Sequence, residues 1–166
     1  MKSCLIIFYV TIIIGCNNND KQQFDKAVLE IRDIDKIKLA DLDGNEILLD
    51  QYKGKTVFIN FWGTWCKPCI REMPWIETAQ NNLTNKNIIF LMASSEAAED
   101  IKQFSDDAGY KLNYVRINNS EEMNIEALPV TNIYDVKGKL VFSESGMRKW
   151  DDKNNIDMLL KIADQK

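Results

Sequence analysis

From about Ile31 onward, apolar and polar positions fall into short, well-punctuated stretches. Ile37 and Leu39 alternate with lysines, Asp43-Gly44-Asn45 carries turn chemistry, and apolar residues return at Ile47 to Leu49. This pattern predicts a β-hairpin. Val57 to Phe61 and Ile88 to Met92 are nearly continuous apolar runs, the mark of strands buried on both faces. Between them, Lys67 to about Gln80 has the length of a crossover helix. A second helix is expected where Ala97, Ile101, Phe104 and Ala108 recur at helical spacing and Gly109 ends the run. Leu112 to Ile117 reads as a further strand, and Val130 to Tyr134 with Lys139 to Phe142 as an antiparallel hairpin around Val136-Lys137-Gly138. Ile156, Leu159, Leu160 and Ala163 then give a last helix one apolar face. Strand–helix–strand units closed by a hairpin and a helix predict an α/β fold. It should have a central mixed sheet flanked by helices on both faces, and an N-terminal β-hairpin.

Ahead of this domain the pattern changes. Lys2 precedes the ten-residue run Leu5 to Ile14, which leads into Gly15-Cys16-Asn17. A membrane-spanning helix needs about 20 apolar residues, so the run fits the core of a secretory signal peptide instead. Ile13-Ile14-Gly15-Cys16 resembles the bacterial lipobox, where cleavage precedes a cysteine that is then lipidated. The alternative is an ordinary cleaved signal with Cys16 a bystander. The expected organisation is a lipoprotein signal peptide over 1–15, a lipidated N-terminus and Asn/Gln-rich polar tether over 16–30, and one domain over 31–166. More than one acyl chain on Cys16 would anchor the protein durably, at about 0.8 kcal/mol per buried CH₂. The domain would then stand in the bacterial cell envelope, tethered to a membrane and facing the periplasm or the exterior.

Composition narrows the chemistry. Apolar residues make up 45% and charged residues 28% of the 166 positions, an ordinary globular mixture that excludes disorder and collagen. With 21 basic and 25 acidic residues the net charge is −4, so no basic excess exists to neutralise phosphates and no nucleic-acid partner is expected. There is no histidine. That absence removes Ser-His-Asp and Cys-His triads, haem attachment through CxxCH, and nearly every zinc or copper site, so neither a metal nor a cofactor is expected. Cleavage removes Cys4 and lipidation consumes Cys16, which leaves Cys66 and Cys69 as thiols in a compartment where disulfides persist.

Phe61-Trp62-Gly63-Thr64-Trp65-Cys66-Lys67-Pro68-Cys69 sits where a buried strand ends and a helix begins. A cysteine at a helix N-terminus faces unsatisfied backbone N–H groups and the positive end of the dipole, which stabilise its thiolate. Lys67 adds positive charge, and Pro68 falls in the first turn, where its missing N–H costs nothing. Two intervening residues let Cys69 curl back to bond Cys66. Cys66 is expected to be the exposed attacking sulfur and Cys69 the buried one that resolves a mixed disulfide. A purely structural disulfide across so short a loop would remove little chain entropy, and a zinc site would lack two ligands. Glu72 follows Cys69 by three residues, on the same helical face. A desolvated carboxyl there could accept the proton of Cys69; the alternative is a solvated helix acid.

These pieces, in this order, resemble the thioredoxin-like, membrane-anchored thiol–disulfide oxidoreductases of the TlpA/ResA type, within the AhpC/TSA-related folds. The resemblance covers about residues 31–165. It rests on Ala40-Asp41-Leu42-Asp43-Gly44-Asn45-Glu46, Gly54-Lys55, the run from Phe61 to Cys69, Arg71-Glu72-Met73-Pro74 and Leu128-Pro129-Val130-Thr131. One departure lies at Leu128 and Val130, where many relatives carry valine before the proline and threonine after it. The resemblance implies a three-layer thioredoxin-like fold and a carboxyl at Glu72 beneath the dithiol that moves protons during exchange. It also implies a cis Pro129 that turns the Leu128 backbone toward Cys66 to pair with a substrate strand. Trp65 would belong to the apolar rim that receives the partner, and Trp62 mainly to the packing. Substrates would be protein thiols and disulfides, with apocytochrome c as one such target, and electrons would come from a membrane thiol carrier. Strong oxidants of this fold commonly place a histidine between the cysteines; Lys67-Pro68 there implies a reductase. Two alternatives remain open on sequence: a thiol peroxidase of the related group, and a non-catalytic surface lipoprotein that binds a partner.

Overall fold

The computed structural model describes residues 33–123, 125 and 127–165. The predicted signal peptide, Cys16, the tether and the first two residues of the predicted domain lie outside the described residues. Seven strands form one sheet: β1 (Leu39–Ala40), β2 (Glu46–Ile47), β3 (Thr56–Phe61), β4 (Ile88–Ser94), β5 (Tyr114–Ile117), β6 (Val130–Tyr134) and β7 (Leu140–Ser145). Their order is β2-β1-β5-β4-β3-β6-β7. β3, β4 and β5 are parallel, whereas β1–β2, β1–β5, β3–β6 and β6–β7 are antiparallel. Among the described residues the α-helices are α1 (Lys67–Asn82), α2 (Ala98–Ala108) and α3 (Lys153–Ala163).

The expected mixed sheet and both hairpins are present. The N-terminal hairpin is shorter than its apolar pattern suggests: its strands have two residues each, and Leu49 opens a 3₁₀ turn over Leu49–Tyr52. Asp41 draws its chain away first, because its carboxylate accepts from the backbone N–H groups of Asp43 and Asn45 and closes the turn. β5 starts at Tyr114, two residues later than expected. α2 ends as predicted at Gly109, whose φ of 70° is the left-handed conformation that favours glycine. On α3, Leu159 is buried as expected, but Asn155 and Ile162 are the other buried positions, and Ile156, Leu160 and Ala163 are only partly covered.

Side-chain alternation along the central strands divides the core. Phe58, Phe90, Met92 and Ile133 point into one cluster; Val57, Ile59, Phe61, Leu91 and Ala93 point into the other. These α-helices send their buried apolar residues to the first cluster, among them Cys69, Met73, Ile76, Ile101 and Leu159. The second cluster is closed by the 3₁₀ turn Asp33–Lys36 through Ile34, by Leu49 and by β1 through Leu39. Among the described residues the α-helices therefore share one face of the sheet, where helices on both faces were expected, for a topological reason. From β3 to β4 to β5 the chain steps across the sheet in one direction. Right-handed crossovers in one direction place both connecting helices on the same face.

Candidate active site

β3 ends at Phe61, and the chain reaches α1 through Trp62-Gly63-Thr64-Trp65-Cys66. Cys66 is the N-cap residue of α1: its Sγ accepts from the backbone N–H of Cys69 at 3.3 Å. The two cysteines are joined by a disulfide. The sulfur therefore stands among the unsatisfied N–H groups of the first turn, as the motif predicts. Pro68 occupies that first turn and Lys67 is exposed beside it. The expectation of an exposed Cys66 needs correction: in the disulfide it is only 3% exposed, against 0% for Cys69. The order of accessibility stands, with a small margin, because Cys66 packs in the cluster that holds Trp62 and Cys69. The surface beside it belongs to Trp65, which is 69% exposed.

The loop before Cys66 is held from the far side by a residue that carried no sequence signal. Glu96 accepts from the Thr64 backbone N–H at 2.7 Å, from Thr64 Oγ1 at 2.6 Å and from Ser94 Oγ at 2.9 Å. Space around Gly63 is tight. A Cβ at this position would lie 3.0 Å from the Trp65 indole nitrogen and 3.3 Å from the Glu96 carboxylate. Trp62 is buried and packs its ring on Phe104 at 4.8 Å and Tyr114 at 5.4 Å, a core role.

Beneath the dithiol, Glu72 is fully buried, so it is not a solvated helix acid. Its Oε1 accepts from Asn60 Nδ2 at 2.8 Å, and its Oε2 accepts from the backbone N–H of Arg148 at 2.9 Å. The indole Nε1 of Trp150 lies close without closing a hydrogen bond of its own. Burial pushes the Glu72 carboxyl above its ordinary value, and the bonds from Arg148 and Asn60 offset only part of that cost. Asn60 also donates to Thr131 Oγ1 at 3.0 Å, which ties the acid to β6, two residues beyond Pro129. Asn60, Arg148 and Trp150 were missed from sequence. Asn60 had a signal, since it is the one polar residue inside the apolar run Val57 to Phe61. Arg148 and Trp150 had none, because they meet Glu72 only through the fold.

The Leu128–Pro129 bond is cis, as the resemblance implied. Pro129 is buried and Leu128 partly covered. A groove of about 300 Å³ runs along this side, lined in part by Trp62, Trp65, Ile117, Glu121, Ile125 and Leu128. Cys66, Cys69 and Glu72 are thus all buried, with Glu72 about one turn after Cys69 on α1. The structure sets Trp65 and Leu128 on a shared apolar groove. Among the described residues no cluster of His, Cys, Asp and Glu is arranged to hold a metal ion.

The AhpC/TSA family model matches residues 32–148. The thiol-disulfide oxidoreductase ResA of Geobacillus thermodenitrificans is 33% identical over 126 residues, which span 73% of this chain and 72% of the relative. Among solved structures, a thiol:disulfide interchange protein from a Bacteroides species superposes with a TM-score of 0.65 at 26% identity, over 78% of this chain and 88% of that one. A thioredoxin family thiol:disulfide interchange protein of Chlorobium tepidum superposes with a TM-score of 0.62 at 22% identity, over 76% and 91%. The fold is thioredoxin-like.

Burial of Glu72 has a consequence for stability. Between the ordinary glutamate value of 4.5 and its raised folded value, the folded protein binds more protons at this site than the unfolded chain. Stability therefore falls as pH rises through that window and levels off above it. Glu72→Gln lacks this loss, so its stability relative to wild type should climb from about pH 4.5 upward. Urea unfolding of both proteins from about pH 4 to about pH 8 measures it. A difference that stays constant across that range would mean the carboxyl titrates normally.

Proposed function

Because the chain belongs to the AhpC/TSA family and is a thiol–disulfide oxidoreductase of the ResA type, we propose that it reduces disulfides of partner proteins outside the cytoplasm, tethered to a membrane through lipid on Cys16. The observation that carries this reading is the disulfide between the N-cap cysteine of α1 and Cys69, one helical turn before the buried carboxyl of Glu72.

In the reduced protein the Cys66 thiolate, stabilised by the helix N-terminus, attacks one sulfur of a substrate disulfide. That S–S bond breaks, Cys66 is joined to the substrate, and the departing substrate thiolate takes up a proton. Cys69 then passes its proton to the Glu72 carboxylate, and its thiolate attacks Cys66 Sγ. The mixed disulfide breaks, the second substrate sulfur leaves as a thiolate, and the Cys66–Cys69 disulfide forms. Two electrons have passed to the substrate. An external dithiol, the proposed membrane thiol carrier, returns them. A carboxyl with raised proton affinity stands closer to a thiol in pKa, so the transfer within this dry site costs less. Trp65, Leu128 and Pro129 receive the substrate segment along the apolar groove, and Lys67 and Pro68 shape the first turn. Apocytochrome c is the proposed target, on the strength of the family resemblance.

Four measurements test this reading. Cys69→Ser should trap partner proteins on Cys66 as mixed disulfides, and in the reduced wild type an alkylating probe should reach Cys66 before Cys69. Its apparent pKa should lie below the free value of about 8.5. Faster labelling of Cys69 would reverse the two roles. Glu72→Gln should slow resolution of the mixed disulfide by up to about 10²-fold and leave its formation nearly unchanged, the low end of general-base effects because thiols ionise readily. Superimposable pH–rate profiles would remove Glu72 from the mechanism. Cys16→Ser should abolish lipid labelling and leave the protein unprocessed or released; membrane binding and processing equal to wild type would sink the anchor.

A further inference from the structure

The loop between β7 and α3 touches the active site twice. Gly146 donates its backbone N–H to the carbonyl of Pro129 at 2.8 Å, and Arg148 donates its own to Glu72 Oε2 at 2.9 Å. A loop is normally a loose support. In this one, several of the holds converge on a single side chain, Arg148. The Arg148 guanidinium carbon lies 5.3 Å from the Phe142 ring centre and 5.5 Å from that of Trp150. Its Nε donates to Asn155 Oδ1 at 2.8 Å, and Nη1 pairs with Glu144. Asn155, itself buried, returns a bond from Nδ2 to the Lys149 carbonyl at 2.7 Å. β7, α3 and the loop thus converge on one planar cation, whose fork and flat faces a lysine could not reproduce.

We propose that Arg148 is a positioning residue for the exchange reaction: its guanidinium anchors the loop so that its backbone N–H stays on the Glu72 carboxylate, which sets how readily Glu72 accepts a proton. The inference rests on Glu72 being the proton acceptor of Cys69. Arg148 acts here through geometry, not through its charge. The guanidinium and Glu144 face each other, and what Arg148 presents to Glu72 is a neutral N–H. The other groups against the carboxyl are the Asn60 amide from β3 and the Trp150 indole from the loop, both uncharged. Cys69 lies one turn earlier on α1, within the disulfide. A hydrogen bond to the ionised form favours that form, so a loosened loop raises the proton affinity of Glu72 further.

The test is a carboxyl ¹³C NMR titration of Glu72 in the disulfide form of the whole protein, comparing wild type with Arg148→Ala and Arg148→Lys. Both variants should move the Glu72 midpoint upward, on the order of one pH unit for a weakened charge-assisted bond. Asn155→Ser, which removes the Nε acceptor and leaves Arg148 in place, should move it the same way and keeps the test available if Arg148→Ala does not fold. An unshifted midpoint in these variants overturns the proposal. So does a lysine variant that matches wild type, since charge alone would then be enough. The titration is read on the resting disulfide, independently of catalysis. If Glu72→Gln exchanges disulfides like wild type while the midpoint shifts as expected, the proton-acceptor reading falls and the hold of Arg148 on the carboxyl stands.

Discussion

The organising constraint of this protein is a carboxyl kept out of water beneath a dithiol. An ionisable group with no solvent contact destabilises the fold unless its oxygens are bonded. Each of its partners comes from a different part of the chain: Asn60 from the middle of β3, Arg148 from the loop after β7. Asn60 must sit inside the apolar run Val57 to Phe61 of a central strand to reach it, and its second N–H reaches Thr131 on β6. Trp150 packs edge-on against Phe58 at 4.7 Å and roofs the same region. Asn60 and Thr131, two of the buried polar residues of the core, thus belong to the surroundings of one side chain.

The dithiol itself makes smaller demands. A cysteine at an N-cap and a proline in the first turn are local features, complete once the strand-to-helix junction exists. What the rest of the molecule adds is a frame around that junction. Glu96 clamps Thr64 from the end of β4, and Gly63 leaves room for the Trp65 indole to lie close over the backbone. The loop that leads into Cys66 is therefore fixed at Thr64, while Trp65 beside the cysteine stays exposed.

How much of this was legible in the chain follows from the range of each interaction. The buried strands, the helix after Cys69, the turn at Gly109 and the final hairpin are written in local periodicity and turn chemistry, and they appear where expected. The position of Glu72 was legible because a helix has a fixed repeat that places it on the face of Cys69. Its partners were not. Arg148 and Glu72 are 76 residues apart, and nothing in Gly146-Met147-Arg148-Lys149-Trp150 marks it as a contact of α1. The small exposure of Cys66 was hidden for the same reason, since it depends on packing between segments remote in sequence. The sidedness of the helices was available in principle from crossover handedness, but only once the strand order was known.

That sidedness makes the molecule thermodynamically lopsided. One core is sealed by helices of 11 to 16 residues, of which α1 buries five side chains, α3 three and α2 Ile101 alone. The described cover of the other includes two four-residue 3₁₀ turns with one buried side chain apiece, Ile34 and Leu49, beside a hairpin of two-residue strands. Short turns gain little from cooperativity, and small units of this kind open at lower free energy than the elements they cover. Breathing motions should therefore concentrate on the turn-covered side, while α1 stays docked and the geometry of the cysteines is preserved. The two cysteines thus sit among the helix-sealed residues, while the groove beside them reaches Ile117 and Ile125 of the softer side, so that the surface open to a partner can adapt without loosening the dithiol.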